Sequence, residues 1–309
     1  MNRVNPVGPR VKRRSPDQKG IHDTRPLADP EFDGIWESLI LPPGLKDRLL
    51  AQAVLNFTAR AKLQQVFLPL HGIILLVGLP GTGKTSLARG LASRAAASLG
   101  GNFMFLEVDP HALASASLGK SQQAVTHLLG SVIGEEASTG PCIVLLDEVE
   151  TLAADRRKMS MDANPIDVHR ATDAVLTQLD QLAASNTQLL FIATSNFAGA
   201  IDDAFLSRAD LVVTIDLPSP EACQAILLDT LGRIAQVYPK VARLRTDPQI
   251  DKAATQAVGL DGRRIRKAVL SSLAHTKQTA MNPDTLTAQA VLDAIEHAQA
   301  ERAKLEAKP

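Results

Sequence analysis

The spacing of glycine, lysine and threonine near residue 80 could bind phosphate. The segment reads Gly78-Leu79-Pro80-Gly81-Thr82-Gly83-Lys84-Thr85, which matches the pattern G-x-x-x-x-G-K-[ST] at every specified position. The glycines let backbone N–H groups turn toward phosphate oxygens. We expect Lys84 to reach the β- and γ-phosphates of a nucleotide and the Thr85 hydroxyl to bind Mg²⁺. The predicted nucleotide-binding residues are Gly78, Pro80, Gly81, Thr82, Gly83, Lys84, Thr85, Ser86 and Asp147.

The sequence on both sides of this segment favours the phosphate-binding interpretation. Ile73 to Val77 is an apolar run that predicts a buried strand, and Ser86 to Leu99 is rich in Ala, Leu and Arg and predicts a helix. A phosphate loop requires this order of strand, turn and helix. An ordinary glycine-rich turn is the alternative, and the flanking elements disfavour it.

Further polar residues follow two later apolar runs. Asp147 and Glu148 come directly after Ile143–Leu146, and Asn196 ends the run that begins at Leu189. Asp147 is expected to hold Mg²⁺ through its waters, and Glu148 to accept a proton from, or orient, an attacking water. Asn196 could orient water against the γ-phosphate, or it could only cap a helix. Strands without a catalytic role also end in acidic residues at turns. The functional interpretation of Asp147 and Glu148 therefore depends on the phosphate loop that precedes them in the chain.

These residues need a sheet that brings strand ends together. Five short apolar runs alternate with helical stretches, which predicts an α/β fold with a five-stranded parallel sheet between helices. After Pro218 only helical patterns remain, such as Glu221–Val237, Arg263–His275 and Thr287–Lys304. Residues 1–31 are expected to be a disordered basic tail, 32–217 a large nucleotide-binding subdomain and 218–309 a small helical lid. The five predicted strands are Ile73–Val77, Phe103–Val108, Ile143–Leu146, Leu189–Thr194 and Leu211–Ile215.

Composition limits the other classes of function. The 309 residues contain 33 basic and 33 acidic side chains, so net charge gives no general attraction to nucleic acid or to an anionic membrane. The apolar runs are too short to cross a bilayer, and no secretory pattern opens the chain. The two cysteines, Cys142 and Cys223, form neither a disulfide framework nor a metal cluster. We therefore expect a cytoplasmic protein that does not act on membranes, and the balanced charge disfavours action on nucleic acid.

Together these segments resemble the AAA+ ATPases, and more narrowly the pachytene-checkpoint family, whose members remodel HORMA-domain proteins. The resemblance extends from Phe32 to about His275. It rests on motifs that include the entry segment Phe32-Asp33-Gly34-Ile35-Trp36-Glu37-Ser38-Leu39, Asp147-Glu148-Val149-Glu150-Thr151-Leu152, Ala174-Val175-Leu176-Thr177-Gln178-Leu179-Asp180-Gln181, Thr194-Ser195-Asn196, Ser207-Arg208-Ala209-Asp210 and Gly259-Leu260-Asp261-Gly262-Arg263-Arg264-Ile265-Arg266-Lys267.

The resemblance implies roles for single residues and a catalytic group that joins Glu148, Asn196, Arg208 and Arg263. Asn196 falls on the first sensor, and Arg208 on an arginine finger that enters the site of a neighbouring subunit. Arg263 falls on the second sensor, which reports the γ-phosphate to the helical lid. Trp36 lies where family members pack the entry segment beside adenine, although it could equally be a buried hinge residue.

The chain also departs from the pattern of its eukaryotic relatives. Those members carry a folded N-terminal domain, whereas a short segment precedes Phe32 here. Their first pore loop has an aromatic pair, where this chain has Ser117-Leu118-Gly119. Leu118 and Gly119 are the expected substrate contacts in the pore, although Leu118 could instead pack onto the next helix. The pattern resembles bacterial members that accompany HORMA proteins and nucleotide cyclases in antiphage operons (CBASS).

The resemblance therefore implies an ATP- and Mg²⁺-dependent ATPase, a homo-hexameric ring that pulls on and remodels a HORMA-domain protein. This action would disassemble the complex of the HORMA protein with its nucleotide cyclase and hold antiphage signalling off. Two alternatives remain at this point. One is a motor or loader acting on nucleic acid, for which Arg156-Arg157-Lys158 in the expected second pore loop could supply a basic pore. The other is a nucleotide-gated scaffold without turnover, which Glu148, Asn196 and Arg208 disfavour.

Overall fold

A six-stranded β-sheet forms the centre of the computed structural model, which describes residues 20–60, 62–63, 70–109, 121–151, 165–197, 199 and 201–306. The strands lie in the order β1-β3-β4-β5-β2-β6. All neighbours are parallel except β1, which pairs antiparallel with β3. The strands are β1 (Ile21–Leu27), β2 (Ile73–Val77), β3 (Phe103–Val108), β4 (Cys142–Leu146), β5 (Leu189–Ser195) and β6 (Leu211–Thr214).

The edge strand β1 corrects two sequence predictions. The sheet has six strands rather than five parallel ones, and residues 20–31 are ordered although they were assigned to the disordered tail. Only Ile21 and Leu27 are buried in this strand, and the five residues between them are polar or partly exposed. An edge strand is stabilised largely by its backbone ladder, and it can include a proline such as Pro26. It therefore lacks the apolar run by which the sequence predicts the other five strands.

Helices cover both faces of the sheet and make up the C-terminal third of the chain. The helix after the phosphate loop begins at Lys84, two residues earlier than predicted, and the first long helix is Leu45–Ala59. The α-helices are α1 (Pro30–Ser38), α2 (Leu45–Ala59), α3 (Lys84–Leu99), α4 (Ser121–Val125), α5 (Gly134–Thr139), α6 (Pro165–Ser185), α7 (Asp203–Leu206), α8 (Pro220–Ala235), α9 (Pro248–Gln256), α10 (Gly262–Ser272), α11 (Lys277–Met281) and α12 (Ala288–Glu306). A π-helix spans Thr126–Ile133, and 3₁₀ turns span Val149–Thr151, Pro239–Thr246 and Pro283–Thr285.

Two hydrophobic cores lie on opposite faces of the sheet. Along β2, Ile73, Leu75 and Val77 belong to one core, and Ile74 and Leu76 belong to the other. All five residues are buried, which explains why this strand is a continuous apolar run and not an alternating one. The sheet is thus fixed from both sides, and the loops at its edges are held by a rigid scaffold.

A third core lies among the helices that follow β6. Its buried members extend from Cys223 to Ile295, and the partly buried Ile40 packs against it. This agrees with the all-helical character expected after Pro218. The division into subdomains at residues 217 and 218 remains a prediction. Within the described residues, no helix is both long and apolar enough to cross a membrane.

The buried Arg60 joins the end of α2 to the sheet. It is 2% exposed, and its guanidinium donates to the carbonyls of Leu189 at 2.6 Å and Ala183 at 2.8 Å. Burial lowers the pKa of Arg60, and the nearby Asp210 carboxylate opposes that shift. Asp210 itself accepts from the backbone N–H groups at the start of β2. Asp210 therefore fixes the start of β2, the strand that leads into the phosphate loop, and Arg60 fixes the start of the neighbouring β5.

We expect Arg60→Ala to lower the free energy of unfolding by about 3 kcal/mol, because two buried carbonyls lose their donor and a cavity remains. The exposed Arg48 lies on the same helix, and Arg48→Ala should change stability by less than about 0.5 kcal/mol. Urea unfolding followed by circular dichroism measures both variants. Equal midpoints for the two variants would show that Arg60 is not structurally important.

Candidate functional site

The phosphate loop connects β2 to α3 at the carboxyl edge of the sheet. Gly81 and Gly83 have φ of 85° and 95°, the left-handed region that glycine adopts without strain. Gly78 lies so close to the carbonyl of Ile215 that a Cβ would overlap it. Its N–H donates to the Ser195 carbonyl at 3.1 Å, which ties the loop to the end of β5. These positions explain why glycine is needed at each.

The other predicted loop residues also lie at this edge. The Thr82 hydroxyl donates to the Leu79 carbonyl at 2.9 Å and so tightens the turn, whereas Pro80 is exposed. Ser86 lines a cavity beside the loop. The conformation of the loop is therefore fixed by hydrogen bonds within the protein and does not require a bound ligand.

Lys84 is the central cation of the site and is only 6% exposed. Its Nζ donates to the carbonyls of Gly78 at 2.8 Å and Leu79 at 3.0 Å, and to Asn196 Oδ1 at 3.0 Å. Burial lowers the pKa of Lys84, and the carboxylates of Glu150, Asp147 and Glu148 oppose that shift. The ammonium group is held by neutral oxygens that a phosphate could replace.

Asp147 connects the phosphate loop to the strand ends. Its Oδ1 accepts from the Thr85 hydroxyl at 2.9 Å and from the Thr194 hydroxyl at 2.5 Å. The register of β4 and β5 places Leu146 opposite Ala193, so the residues that follow them meet. No group of three His, Cys, Asp or Glu side chains suited to a metal occurs among the described residues. A hydroxyl and one carboxylate suit Mg²⁺, which keeps waters and substrate phosphates as its other ligands.

Glu148 has φ of 51°, and it is the one non-glycine residue with positive φ in the described part of the chain. Its backbone N–H donates to Thr194 Oγ1 at 3.1 Å, and its Oε1 accepts from Asn196 Nδ2 at 3.2 Å. A left-handed glutamate costs on the order of 1–3 kcal/mol, and such strain clusters at functional sites. The backbone and Asn196 therefore hold the Glu148 carboxylate beside Lys84.

Glu150 belongs to the site, although no role for it was predicted from the sequence. Its Oε1 accepts from the Asn196 N–H at 3.1 Å, and its Oε2 is buried without a hydrogen-bond partner in the described residues. Glu150 lies in the 3₁₀ turn directly after Glu148. Its position three residues after Asp147 is the sequence signal that could have placed it in the site. Glu150 fixes the backbone of Asn196, whose side chain contacts both Lys84 and Glu148.

Arg208 lies in the turn that follows α7, and its hydrogen bonds are made away from the phosphate loop. Its Nε and Nη2 each donate to the Asp180 carboxylate at 2.7 Å, and its Nη1 donates to the Ala204 carbonyl at 2.6 Å. The hydrogen bonds from Arg208 lower the pKa of Asp180. Within one chain the structure does not bring Arg208 to Lys84, which is compatible with a role in a neighbouring subunit. That role remains a prediction.

Arg263 lines a cavity of about 970 Å³ beside the phosphate loop. The walls come from the loop, the segment between α1 and α2, the end of β6 and the first turns of α8 and α10. Trp36 is not in this lining. It is 5% exposed and packs on α3, where a Cβ on Gly90 would lie 2.9 Å from Trp36 Cβ. Of the two alternatives for Trp36, its burial favours the buried residue over a place beside adenine, and its role as a hinge remains a prediction.

The expected pore residues Leu118 and Gly119 lie outside the described residues, as does the Arg156-Arg157-Lys158 segment. Their roles stay predictions from the sequence.

Comparison with known proteins identifies the family. Residues 74–217 match the model described as ATPase family associated with various cellular activities (AAA). The chain is 52% identical over 282 residues to CD-NTase-associated protein 6 of Pseudomonas aeruginosa, which covers 91% of this chain and 93% of that protein. It is 32% identical to the pachytene checkpoint protein 2 homolog of Danio rerio, over 87% of this chain and 68% of that protein.

Solved structures agree on the fold. The structure of C. elegans PCH-2 matches with a TM-score of 0.73 and 26% identity, over 93% of this chain and 77% of that one. A chain of the E. coli MS115-1 HORMA:CdnC:Trip13 complex matches with a TM-score of 0.75 and 18% identity, over 93% of this chain and 97% of that one. From this sequence identity and from the phosphate-loop site, we conclude that the chain belongs to the AAA ATPases, in the family of CD-NTase-associated protein 6 and the pachytene checkpoint protein 2 homologues.

Proposed function

We propose that this chain is the subunit of a cytoplasmic ring, a homo-hexamer, that hydrolyses ATP to remodel a HORMA-domain protein. The observation that carries the ATPase is the contact of Lys84 and Glu148 with the same side chain, Asn196. One amide thus joins a phosphate-binding cation to a carboxylate that can act as a base. This arrangement fits phosphoryl transfer to water.

The residues divide the work of ATP hydrolysis. Loop N–H groups and Lys84 bind the phosphates, and Thr85 and Asp147 would hold Mg²⁺. Bound Mg²⁺ supplies charge neutralisation at the phosphate oxygens. Glu148 takes a proton from the attacking water, while Asn196 orients that water and reports on the γ-phosphate. Arg208 completes a neighbouring site, and Arg263 couples the site to the helical lid.

The proposed partner rests on relatives. CD-NTase-associated protein 6 shares half of its residues with this chain over almost its whole length, and its name places it beside a nucleotidyltransferase. The complex that contains the Trip13 neighbour also holds a HORMA protein and CdnC. We infer that this ring acts on a HORMA protein and its bound nucleotide cyclase, and so regulates an antiphage (CBASS) system.

The test is the rate of ATP hydrolysis with and without a bacterial HORMA-domain protein bound to its nucleotide cyclase. Stimulation that saturates with HORMA protein, together with release of the cyclase, is the expected result. A rate that responds only to DNA, with binding that weakens steeply as salt rises, would favour a nucleic-acid motor instead. Nucleotide binding without turnover would favour a scaffold.

Leu118→Asp should abolish remodelling of the HORMA protein while basal ATP hydrolysis stays within about two-fold of wild type. The position follows β3, and an apolar side chain in a pore can wedge between substrate side chains, whereas a carboxylate is too strongly hydrated to do so. Leu305 on α12 is 60% exposed, so Leu305→Asp is the matched control. Cyclase release and ring assembly are measured together. Loss of soluble rings would instead indicate that Leu118 packs in the core.

A further inference from the structure

A carboxylate from the helical region lies against the phosphate loop. Asp261 precedes α10 and is 7% exposed. It lies so close to Gly81 that a Cβ on that glycine would overlap the Asp261 carboxylate. A nucleotide-binding loop is an unusual place for a buried anion, because the loop has to receive negatively charged phosphates.

The surroundings explain why the carboxylate is stable there. The contact with Gly81 places the carboxylate at the phosphate loop, shortly before the N-terminus of α3, where backbone N–H groups and the positive end of a helix dipole favour negative charge. On its other side, Asp261 Oδ1 accepts from the backbone N–H of Arg264 at 2.9 Å, and Oδ2 lies 3.3 Å from Arg264 Nε. Asp261 is thus a fixed negative charge that helps to balance a positive loop.

Capping alone does not require this charge. The carboxylate caps α10, but Ser219 caps α8 and Thr276 caps α11 in the same region through neutral hydroxyls. Neutral side chains such as Ser and Asn cap helices as well as Asp does. A cap therefore does not need a charge, although Asp247 also caps α9 with a carboxylate. The feature that distinguishes Asp261 from Asp247 is its contact with Gly81 of the phosphate loop.

We propose that Asp261 is a built-in anion that competes with the nucleotide phosphates for the positive potential of the loop, and so keeps nucleotide affinity low. This inference rests on the nucleotide site of the proposed function. Phosphates that enter the loop bring negative charge next to a buried carboxylate, where repulsion is stronger than in water. Arg264 moderates the effect because it pairs with the same carboxylate. Loose binding favours rapid release of ADP and thereby repeated turnover.

The primary test is calorimetric titration of ADP, with Mg²⁺, into the full-length protein. Asp261→Asn retains the cap and removes the charge, so it should bind ADP roughly ten-fold more tightly. The matched control is Asp247→Asn, because Asp247 caps α9 through Gln249 N at 2.9 Å but, unlike Asp261, does not lie against a glycine of the phosphate loop. Its ADP affinity should equal that of wild type. The gain at Asp261 should shrink as salt rises.

Unchanged or weaker ADP binding by a folded Asp261→Asn protein would overturn the proposal. Asp261→Ser provides a second neutral cap and should give the same gain, so the result does not depend on one variant folding. If wild-type protein binds no ADP, the proposed nucleotide site itself fails. Binding by wild type with no gain in either variant overturns only the role of Asp261.

Arg264 gives an independent test. Arg264→Gln should weaken ADP binding in the wild-type background, because the carboxylate loses its partner, and should have a much smaller effect when Asp261 is already Asn. This non-additivity is the evidence that Arg264 acts through Asp261. An equal loss in both backgrounds would mean that Arg264 acts on the nucleotide by itself, which contradicts the proposed link.

Discussion

Glu148→Gln is expected to bind ATP with nearly unchanged affinity and to hydrolyse it roughly 10²–10⁴-fold more slowly. The amide keeps the shape of the side chain and can still contact Asn196, and the phosphate contacts of Lys84 and Thr85 remain. It cannot take a proton from water, so only the chemical step is lost. Single-turnover hydrolysis and ATP titration measure the two effects separately.

Two controls define that result. Glu135→Gln makes the same change at an exposed position in the first turn of α5, and its rate should equal that of wild type. Lys84→Ala should instead lose ATP binding, because the buried cation of the loop is removed. If Glu148→Gln turned over at the wild-type rate, Glu148 would not be the base.

Arg208→Ala should lower the hydrolysis rate of the assembled ring by roughly 10³–10⁵-fold, the range found for arginine fingers in other phosphate-loop enzymes. A guanidinium supplied by a neighbour stabilises charge that develops in the transition state, so ATP affinity should change much less than the rate. Arg233 also pairs with an aspartate, at 3.0 Å, but lies on the exposed face of α8. Arg233→Ala should hydrolyse ATP normally.

The ATPase activity of rings that contain both variant subunits tests whether Arg208 acts on the site of a neighbouring subunit. Arg208→Ala subunits keep Glu148, and Glu148→Gln subunits keep Arg208, so some interfaces of a mixed ring contain one intact copy of each. Mixing the two inactive proteins should therefore recover activity that neither has alone. Absence of rescue in rings shown to be mixed would mean that Arg208 serves its own subunit or acts only through its ion pair with Asp180.

The parts of the fold that the sequence predicted are those with strong local patterns. The inner strands are buried on both faces, so they are continuous apolar runs, and Ile73–Val77 and Phe103–Val108 were placed without error. The phosphate loop permits few sequences, because Gly81 and Gly83 have positive φ and Gly78 lies against the Ile215 carbonyl. Asp147, Glu148 and Asn196 follow strands that are adjacent in the sheet, so their meeting followed from topology.

The parts that were missed depend on tertiary contacts. The strand β1 is stabilised by pairing with β3, and residues 22–26 have no apolar period. Glu150 acts through a hydrogen bond to the backbone of Asn196, which lies 46 positions away in the chain. The proximity of Asp261 to Gly81 joins two segments that no local pattern connects. Such contacts arise only after the chain has folded.

The left-handed backbone at Glu148 supports catalysis but lowers the thermal stability of the protein. The strain at φ of 51° is retained by contacts with Thr194 and Asn196. Glycine would relieve that strain at the expense of the base. Directed evolution that selects only for heat resistance would therefore favour variants that have a higher melting temperature but no ATPase activity. Activity has to be selected together with stability.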